Sequence, residues 1–366
     1  MSAEKFIIRE PGPLIGPEDA VPMMNNLLGT PGDIKAVAYH FKLSAEETAD
    51  LFNDVKYVVM GGSSKRAFKF AQRAAHILDL PIHGYSKKLQ LRDSVRNGDL
   101  SDVKRFIKTE LGKRISMPVE IGGTERYSLF KVGDLIVVNH GMGLGSIEIM
   151  LNELVIMLAA AEAKGVEMFR IGTSGGFGVD PGTVVITDRS WSEQPEEDLK
   201  VTGDYTPLVV CGEKEYWPAR TTDSLRASLS GIAAAHEIPH LIGGTIAKGS
   251  FYAGEARMDG AFHDHDHAKA EAYFQRAMEL GIKNSEMEAT WLTAIAGRLG
   301  LRHAVVCAVL DNCMTHQSID FTPAQLAEFS RRAEDVVLHY LAAKKGIELS
   351  TTDLSWTRRL IHSLLR

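Results

Sequence analysis

Three glycine-rich segments of this chain put hydroxyls or basic residues at the end of an apolar run, where an anion could be held. Val59-Met60-Gly61-Gly62-Ser63-Ser64-Lys65-Arg66 passes from a buried-strand pattern into a helical one. Free backbone N–H groups at such a helix start, with Arg66 one turn in, suit an anion. The same residues also read as a glycine turn with a serine N-cap. Arg170-Ile171-Gly172-Thr173-Ser174-Gly175-Gly176 gathers a guanidinium and two hydroxyls at a second strand end. Guanidinium grips phosphate through two parallel bonds, and threonine adds a neutral donor. An arginine closing a buried strand is costly unless an anion meets it. His140-Gly141-Met142-Gly143-Leu144-Gly145-Ser146 approximates a dinucleotide fingerprint, which also needs an acid at the end of the next strand. That strand ends in Arg170 and has Glu167 near its start, so dinucleotide binding is disfavoured.

Two acidic stretches carry further options. Glu286-Met287-Glu288 opens a helical pattern after Asn284-Ser285. Ser285-x-x-Glu288 fits a capping box, the reading the sequence slightly favours, and Glu288 could instead accept from sugar hydroxyls. His263-Asp264-His265-Asp266-His267 has metal-ligand residue types, but a zinc site needs ligands converging from a fixed frame. This run lies in a polar stretch before a helix and reads as a solvated loop; no metal is expected.

The elements that must position these groups alternate. Strand patterns at 56–60, 135–138, 166–171, 183–187, 242–251 and 304–310 are interleaved with amphipathic helices on Phe68/Ala71/Ala75, Ile147/Leu151/Leu154, Leu292/Ala296/Leu299 and Leu326/Phe329/Val337. Such alternation predicts an α/β fold with a largely parallel sheet covered on both faces, and ligands outside the carboxyl ends of its strands. Residues 1–33, with five of the thirteen prolines before position 33, read as an extended N-terminal arm. A single domain spans 34–345, with insertions at about 85–120 and 192–220, and 346–366 form a tail. The 366 residues are 45% hydrophobic and 24% charged, enough to bury a core. A net charge of −6 gives no basic field for nucleic acid. The stretch Ile147–Ala161 is interrupted by Asn152 and Glu153 and is too short for a membrane span. Three cysteines without a C-x-x-C pair suit a reducing compartment, so a cytoplasmic enzyme is expected.

Together these stretches resemble the nucleoside phosphorylase superfamily, most of all its eukaryotic-type uridine phosphorylases. The matching segments are YHF at 39–41, VMGGSSKRAFKF at 59–70, GGTERYSLFKVGDL at 122–135 and VNHGMGLGSIEIMLNEL at 138–154. FRIGTSGGFGVDPGTVVIT at 169–187, FYAGEARMDGA at 251–261 and NSEMEATWL at 284–292 complete the series. The resemblance implies a three-layer α/β/α sandwich with a central mixed, largely parallel sheet, and reversible phosphorolysis of uridine to uracil and ribose 1-phosphate. It implies inorganic phosphate as co-substrate and no other cofactor. Gly62, Arg66, Arg170 and Thr173 match the phosphate-binding residues, and Arg126 matches an arginine reaching a neighbouring subunit's phosphate. Met287 and Glu288 match the ribose contacts, and His40 matches a histidine at the 5′-hydroxyl across the interface. Phe251 and Gly175 match positions beside sugar and base, so a homodimer with shared sites is implied.

Two departures bear on the base. The family's uridine enzymes carry glutamine where this chain has Glu255, two residues before the base-binding Arg257. An ionised carboxylate has no donor for a uracil carbonyl. Glu255 is therefore protonated, or paired with Arg257 along one face of a strand, or the base differs. Asp311 falls where purine-type relatives carry the acid that protonates the leaving base. A purine or broad-specificity phosphorylase is the nearest alternative, and a non-catalytic nucleoside-binding protein of this fold is another.

Overall fold

The computed structural model describes residues 6–22, 39–43, 45–80, 120–121, 126–201, 203–262, 265–314 and 321–349. Apart from Glu120, the expected 85–120 insertion lies outside these residues, as does the tail from 350. In chain order the described elements are β1 (Ile7–Ile8), α1 (Ala45–Phe52), β2 (Tyr57–Gly61), α2 (Ser64–Ile77), β3 (Leu129–Val132), β4 (Leu135–Asn139) and α3 (Leu144–Ala160). Then come β5 (Glu167–Gly176), β6 (Val184–Trp191), α4 (Pro195–Asp198), β7 (Tyr205–Val210), β8 (Glu213–Pro218), α5 (Asp223–Ala235) and β9 (His240–Ala247). The chain closes with α6 (His267–Glu279), β10 (Ile282–Glu286), α7 (Ala289–Arg298), β11 (Arg302–Asn312) and α8 (Pro323–Lys344).

Period-2 alternation divides the core. On β2, Val58 and Met60 pack with residues of α1, α3 and α7, whereas Val59 faces α2 and α8. On β11, Val305 and Cys307 join the first group while Ala304, Val306 and Ala308 join the second. Strands buried on both faces read as continuous apolar runs, which is why β2, β4 and β11 were visible in the sequence.

The sheet itself departs from the expected sandwich layer. Its eight strands run in the order β10-β9-β6-β11-β5-β2-β4-β3, and β10 also pairs antiparallel with β5. Five strands therefore close into a barrel-like ring, and β2, β4 and β3 extend from it. The pairing is mixed: β6–β11, β3–β4 and β5–β10 are antiparallel, the others parallel. Closure needs β5 to bend at its end, and glycine makes that possible. A Cβ on Gly176 would stand 2.7 Å from the Val179 carbonyl oxygen, and one on Gly175 2.6 Å from Cys313 Sγ. A register shift in β11 between Val309 and Asp311 falls opposite the same bend.

Inside the ring the strands are polar. Thr187 and Thr245 share a hydroxyl hydrogen bond of 2.6 Å, Thr245 donates to Asn284 Oδ1 at 2.7 Å, and Asn284 donates to Ser174 at 2.9 Å. Each of these buried groups is satisfied by the next strand, which stabilises the closed arrangement.

The segment 192–220, expected as an insertion, holds α4 and the β7–β8 hairpin. With β1 it forms a separate three-stranded sheet in the order β1-β8-β7. The N-terminal segment is extended and docked: Gly12 N–H donates to the Gly297 carbonyl and Ile15 N–H to that of Gly300, both at 3.0 Å. Gly300 has φ +67°, and a Cβ there would collide with the Pro13 carbonyl. Gly300→Ala should cost about 1–3 kcal/mol and expose residues 12–15 to proteolysis. Thermal unfolding with timed protease digestion measures both, and an unchanged digestion pattern would contradict this docking.

Candidate active site

β10 and its exit form the spine of the site, although IKNSE reads as too polar for a strand. Its polar residues face the ring and the site instead of a hydrophobic layer. Glu286, the last residue of β10, accepts from the N–H groups of Glu288 and Ala289, each at 2.9 Å. Glu286 thus caps the start of α7, and Glu288 is its N-cap residue. This overturns the Ser285–Glu288 capping box: Ser285 lies within the strand and its hydroxyl donates to Glu255 at 3.1 Å.

Freed from the cap, Glu288 turns inward. Its Oε1 accepts from Gly143 N–H at 2.6 Å, and its Oε2 pairs with Arg170. Arg170 Nη2 also meets Glu286 at 2.7 Å, and Nη1 donates to Cys307 Sγ at 3.0 Å. The anions demanded by a buried arginine are therefore supplied by the chain itself. Burial weakens a guanidinium charge, but Glu286, Cys307 and Glu288 hold the Arg170 pKa above its ordinary value. Burial raises the Glu286 carboxyl to about 7, opposed by Arg170. Glu288 stays below its usual value because Arg170, His140 and Gly143 N–H outweigh its burial. Gly172 is the residue that lets this happen: the guanidinium folds over it, leaving no room for a Cβ.

The His140–Ser146 loop serves this cluster. Gly141 (φ +73°) and Gly143 (φ +87°) adopt left-handed backbone, and a Cβ on Gly141 would lie 2.6 Å from Ser146 Oγ. His140 is fully buried, and neither ring nitrogen finds a hydrogen-bond partner among the described residues. Burial, with Arg170 and Arg66 nearby, lowers its pKa to about 4 against the pull of Glu288 and the Gly141 peptide. A neutral imidazole therefore sits among Arg66, Arg170 and Glu288. Sequence reasoning gave it no role, although its place at a strand end before a glycine loop was a usable signal.

Arg66 and Gly62 adjoin this loop, since a Cβ on Gly62 would stand 3.3 Å from the Arg66 guanidinium and 3.4 Å from the Gly141 carbonyl. Ser63 is indeed the N-cap of α2, accepting from Arg66 N–H at 3.3 Å. Among the described residues Arg66 makes no ion pair, only a 3.4 Å contact to that hydroxyl. Thr173 and Gly175 lie on the partly exposed side of β5, whereas Arg170 lies on its buried side.

Beside Ser285, at the same exit of β10, lies Glu255, with Arg257 and Phe251 in the same segment. They occupy turns, not the strand expected through 251, and Ala256 has φ +53°. Arg257 stacks over Phe251 at 4.7 Å and donates to Asp259 at 2.9 Å. Of the three alternatives for Glu255, the structure does not favour a pair along a strand: Arg257 pairs with Asp259. Asp311 adds to the negative field at Arg257. Met287 reaches the glycine loop, its methyl 3.9 Å from where a Gly143 Cβ would be.

His40 and Arg126 stand together around Tyr127. His40 bonds Glu153 at 2.5 Å and its ring lies 6.1 Å from that of Tyr127. Arg126 is exposed and donates to the Tyr127 hydroxyl at 3.0 Å. Neither bonds to the Arg170 cluster among the described residues. In the HDHDH run, 263–264 lie outside the described residues, and Asp266 caps α6 by accepting from Lys269 N–H at 2.8 Å. Among the described residues no group of three or more metal-ligating side chains occurs, and no helix is long and apolar enough to cross a membrane.

The sequence profile of the Phosphorylase superfamily matches residues 95–342. The chain belongs to that superfamily. Mouse uridine phosphorylase 2 is 32% identical over 315 residues, 85% of this chain and 87% of that one. Among solved structures of the superfamily, one of the two uridine phosphorylases of the oomycete Phytophthora capsici has a TM-score of 0.73 at 30% identity, covering 90% of this chain and 99% of that one. Schistosoma mansoni uridine phosphorylase in complex with thymidine also scores 0.73, at 28% identity, covering 89% and 99%.

Proposed function

We propose that this protein is a uridine phosphorylase, a pentosyltransferase interconverting uridine and phosphate with uracil and ribose 1-phosphate. The observation that carries the reading is the continuity of the Arg66–His140–Arg170–Glu288 cluster with the Glu255–Arg257–Phe251 turn through β10. Inorganic phosphate and the sugar and base of one nucleoside can thus be met in order along a single strand exit. Relatives named as uridine phosphorylases, matched over most of their length, support the same chemistry.

Arg66 and Gly62, with the free donors at the start of α2, are the first grip on phosphate. Thr173 extends it from the partly exposed side of β5. Arg170, its Nη atoms engaged by Glu286, Glu288 and Cys307, adds the donor they leave, Nε–H. Glu288 orders the ribose hydroxyls while Met287 packs beneath the sugar. Holding the nucleophile against C1′ is mainly a positioning effect. A phosphate oxygen bonds to C1′ as the C1′–N1 bond breaks, and that electron pair leaves on the base. Arg257 stabilises the departing anion at a carbonyl oxygen, with Phe251 against its face and Gly175 leaving space beside it. The reaction calls for no metal and no redox cofactor; phosphate is a co-substrate.

His40 and Arg126 are read as donors to a neighbouring subunit, which makes a homodimer the functional unit. Their joint position on Tyr127 supports this. Three free cysteines agree with a cytoplasmic setting.

Two arms test the proposal. Base release from uridine, followed by chromatography, should require phosphate. Arg66→Ala should lower kcat/KM by about 10²–10³-fold while stability changes by no more than about 0.5 kcal/mol. Release that ignores phosphate would make the protein a hydrolase. A second reading, a purine phosphorylase, is favoured by Glu255 and Asp311 flanking Arg257. Faster release from inosine or guanosine than from uridine would select it.

A further inference from the structure

Glu255 is a buried carboxyl at the base end of the site, and its surroundings are unusual. Ser285 donates to its Oε1 at 3.1 Å. Lys248, at the end of β9, is 1% exposed and stands over the Tyr273 ring at 4.4 Å. It makes no ion pair within 4.0 Å among the described residues, although Glu193, Glu255 and Asp198 all act on it. Facing Glu255 are Lys248 from β9, Ser285 and Glu286 from β10, Tyr273 from α6, Arg257 from its own turn and Cys313 after β11.

The edge of uracil offers a carbonyl, an N–H and a second carbonyl. A carboxylate only accepts, so it satisfies the N–H and repels a neighbouring carbonyl. A carboxylic acid donates through O–H and accepts through C=O, matching one N–H and one carbonyl together. We propose that Glu255 is the specificity-determining residue for the uracil edge and reads it as the neutral acid, with Lys248 setting how readily that proton is held. This rests on the uridine phosphorylase reading above.

The electrostatics agree. Burial raises Glu255 to about 7, against Ser285, Arg257 and Lys248. Burial also lowers Lys248 to about 8. Below about 7 the acid is present and uridine is accepted; above it the carboxylate rejects the carbonyl. An ionised Glu255 instead suits an edge with two donors, as in 2-amino-6-oxopurines.

Glu255→Gln is the direct test, because an amide donates and accepts at every pH. The ratio of wild-type to Glu255→Gln kcat/KM for uridine cancels the titration of phosphate, common to both proteins. This ratio should fall about tenfold between pH 6 and pH 8. Lys248→Met, which removes a positive charge, should move that fall to higher pH. A second measurement needs no variant: calorimetry of uracil binding at pH 8 in buffers of different ionisation enthalpy should report uptake of about one proton per site. A flat ratio, a fall that does not move in Lys248→Met, or binding without proton uptake would overturn the assignment. Absence of phosphorolysis from every protein at every pH would instead sink the uridine phosphorylase reading, and this inference with it.

Discussion

Arg170→Ala is expected to abolish phosphorolysis and to cost about 3–5 kcal/mol of stability. The guanidinium lies between two buried carboxylates, Glu286 and Glu288, and also donates to Cys307. Without it those carboxylates face each other with no cation between them. The ion pairs thus give Arg170 a structural role beside its functional one. Urea unfolding measures the loss. The deficit should shrink as pH falls from 8 toward 5, because burial already raises Glu286 to about 7 and protonation removes the repulsion. Glu286→Gln in the Arg170→Ala background should recover part of the stability and none of the activity. Wild-type stability in Arg170→Ala would mean that the cluster contributes nothing to the fold.

Glu288→Ala separates sugar binding from that structural role. Its carboxylate links the Gly143 N–H to Arg170, and Glu286 remains as a partner for the arginine. The stability loss should be smaller, about 1–3 kcal/mol, the cost of leaving one buried donor unmet. Turnover should fall about 10²–10³-fold, as when a preorganised transition-state contact is lost. Glu288→Gln keeps an acceptor for Gly143 and should recover the stability while remaining impaired. Equal activity in the glutamine variant and the wild type would show that the charge on Glu288 is not needed.

What was legible in the sequence followed burial. β2, β4 and β11 announce themselves as apolar runs because both faces are covered. The glycines at 61–62 mark the end of β2, whereas those at 172–176 lie inside β5, which runs on to Gly176. β10 was missed because its alternate residues enter a polar ring, where Asn284 satisfies Thr245 and Ser174 across strands. That omission carried the capping error with it: once 282–286 is a strand, Ser285 cannot start a helix. The ring closure was hidden too, since pairing Asn284 with Gly176 depends on a bend that no local pattern reports. The residue types of the site were readable, whereas its ion pairs were not. Glu286 lies 116 residues along the chain from Arg170, a distance no spacing rule spans.

Closing the five strands also orders events in time. β5 finds its antiparallel partner only after more than a hundred further residues have been made, and β11, which seals its other edge, comes later still. Contacts so distant in sequence form slowly. A chain still on the ribosome before residue 286 thus has the arginines of its anion grip but not the carboxylate that holds Arg170 in place. Competence arrives late in synthesis, as a property of the finished hoop and not of any segment that precedes it.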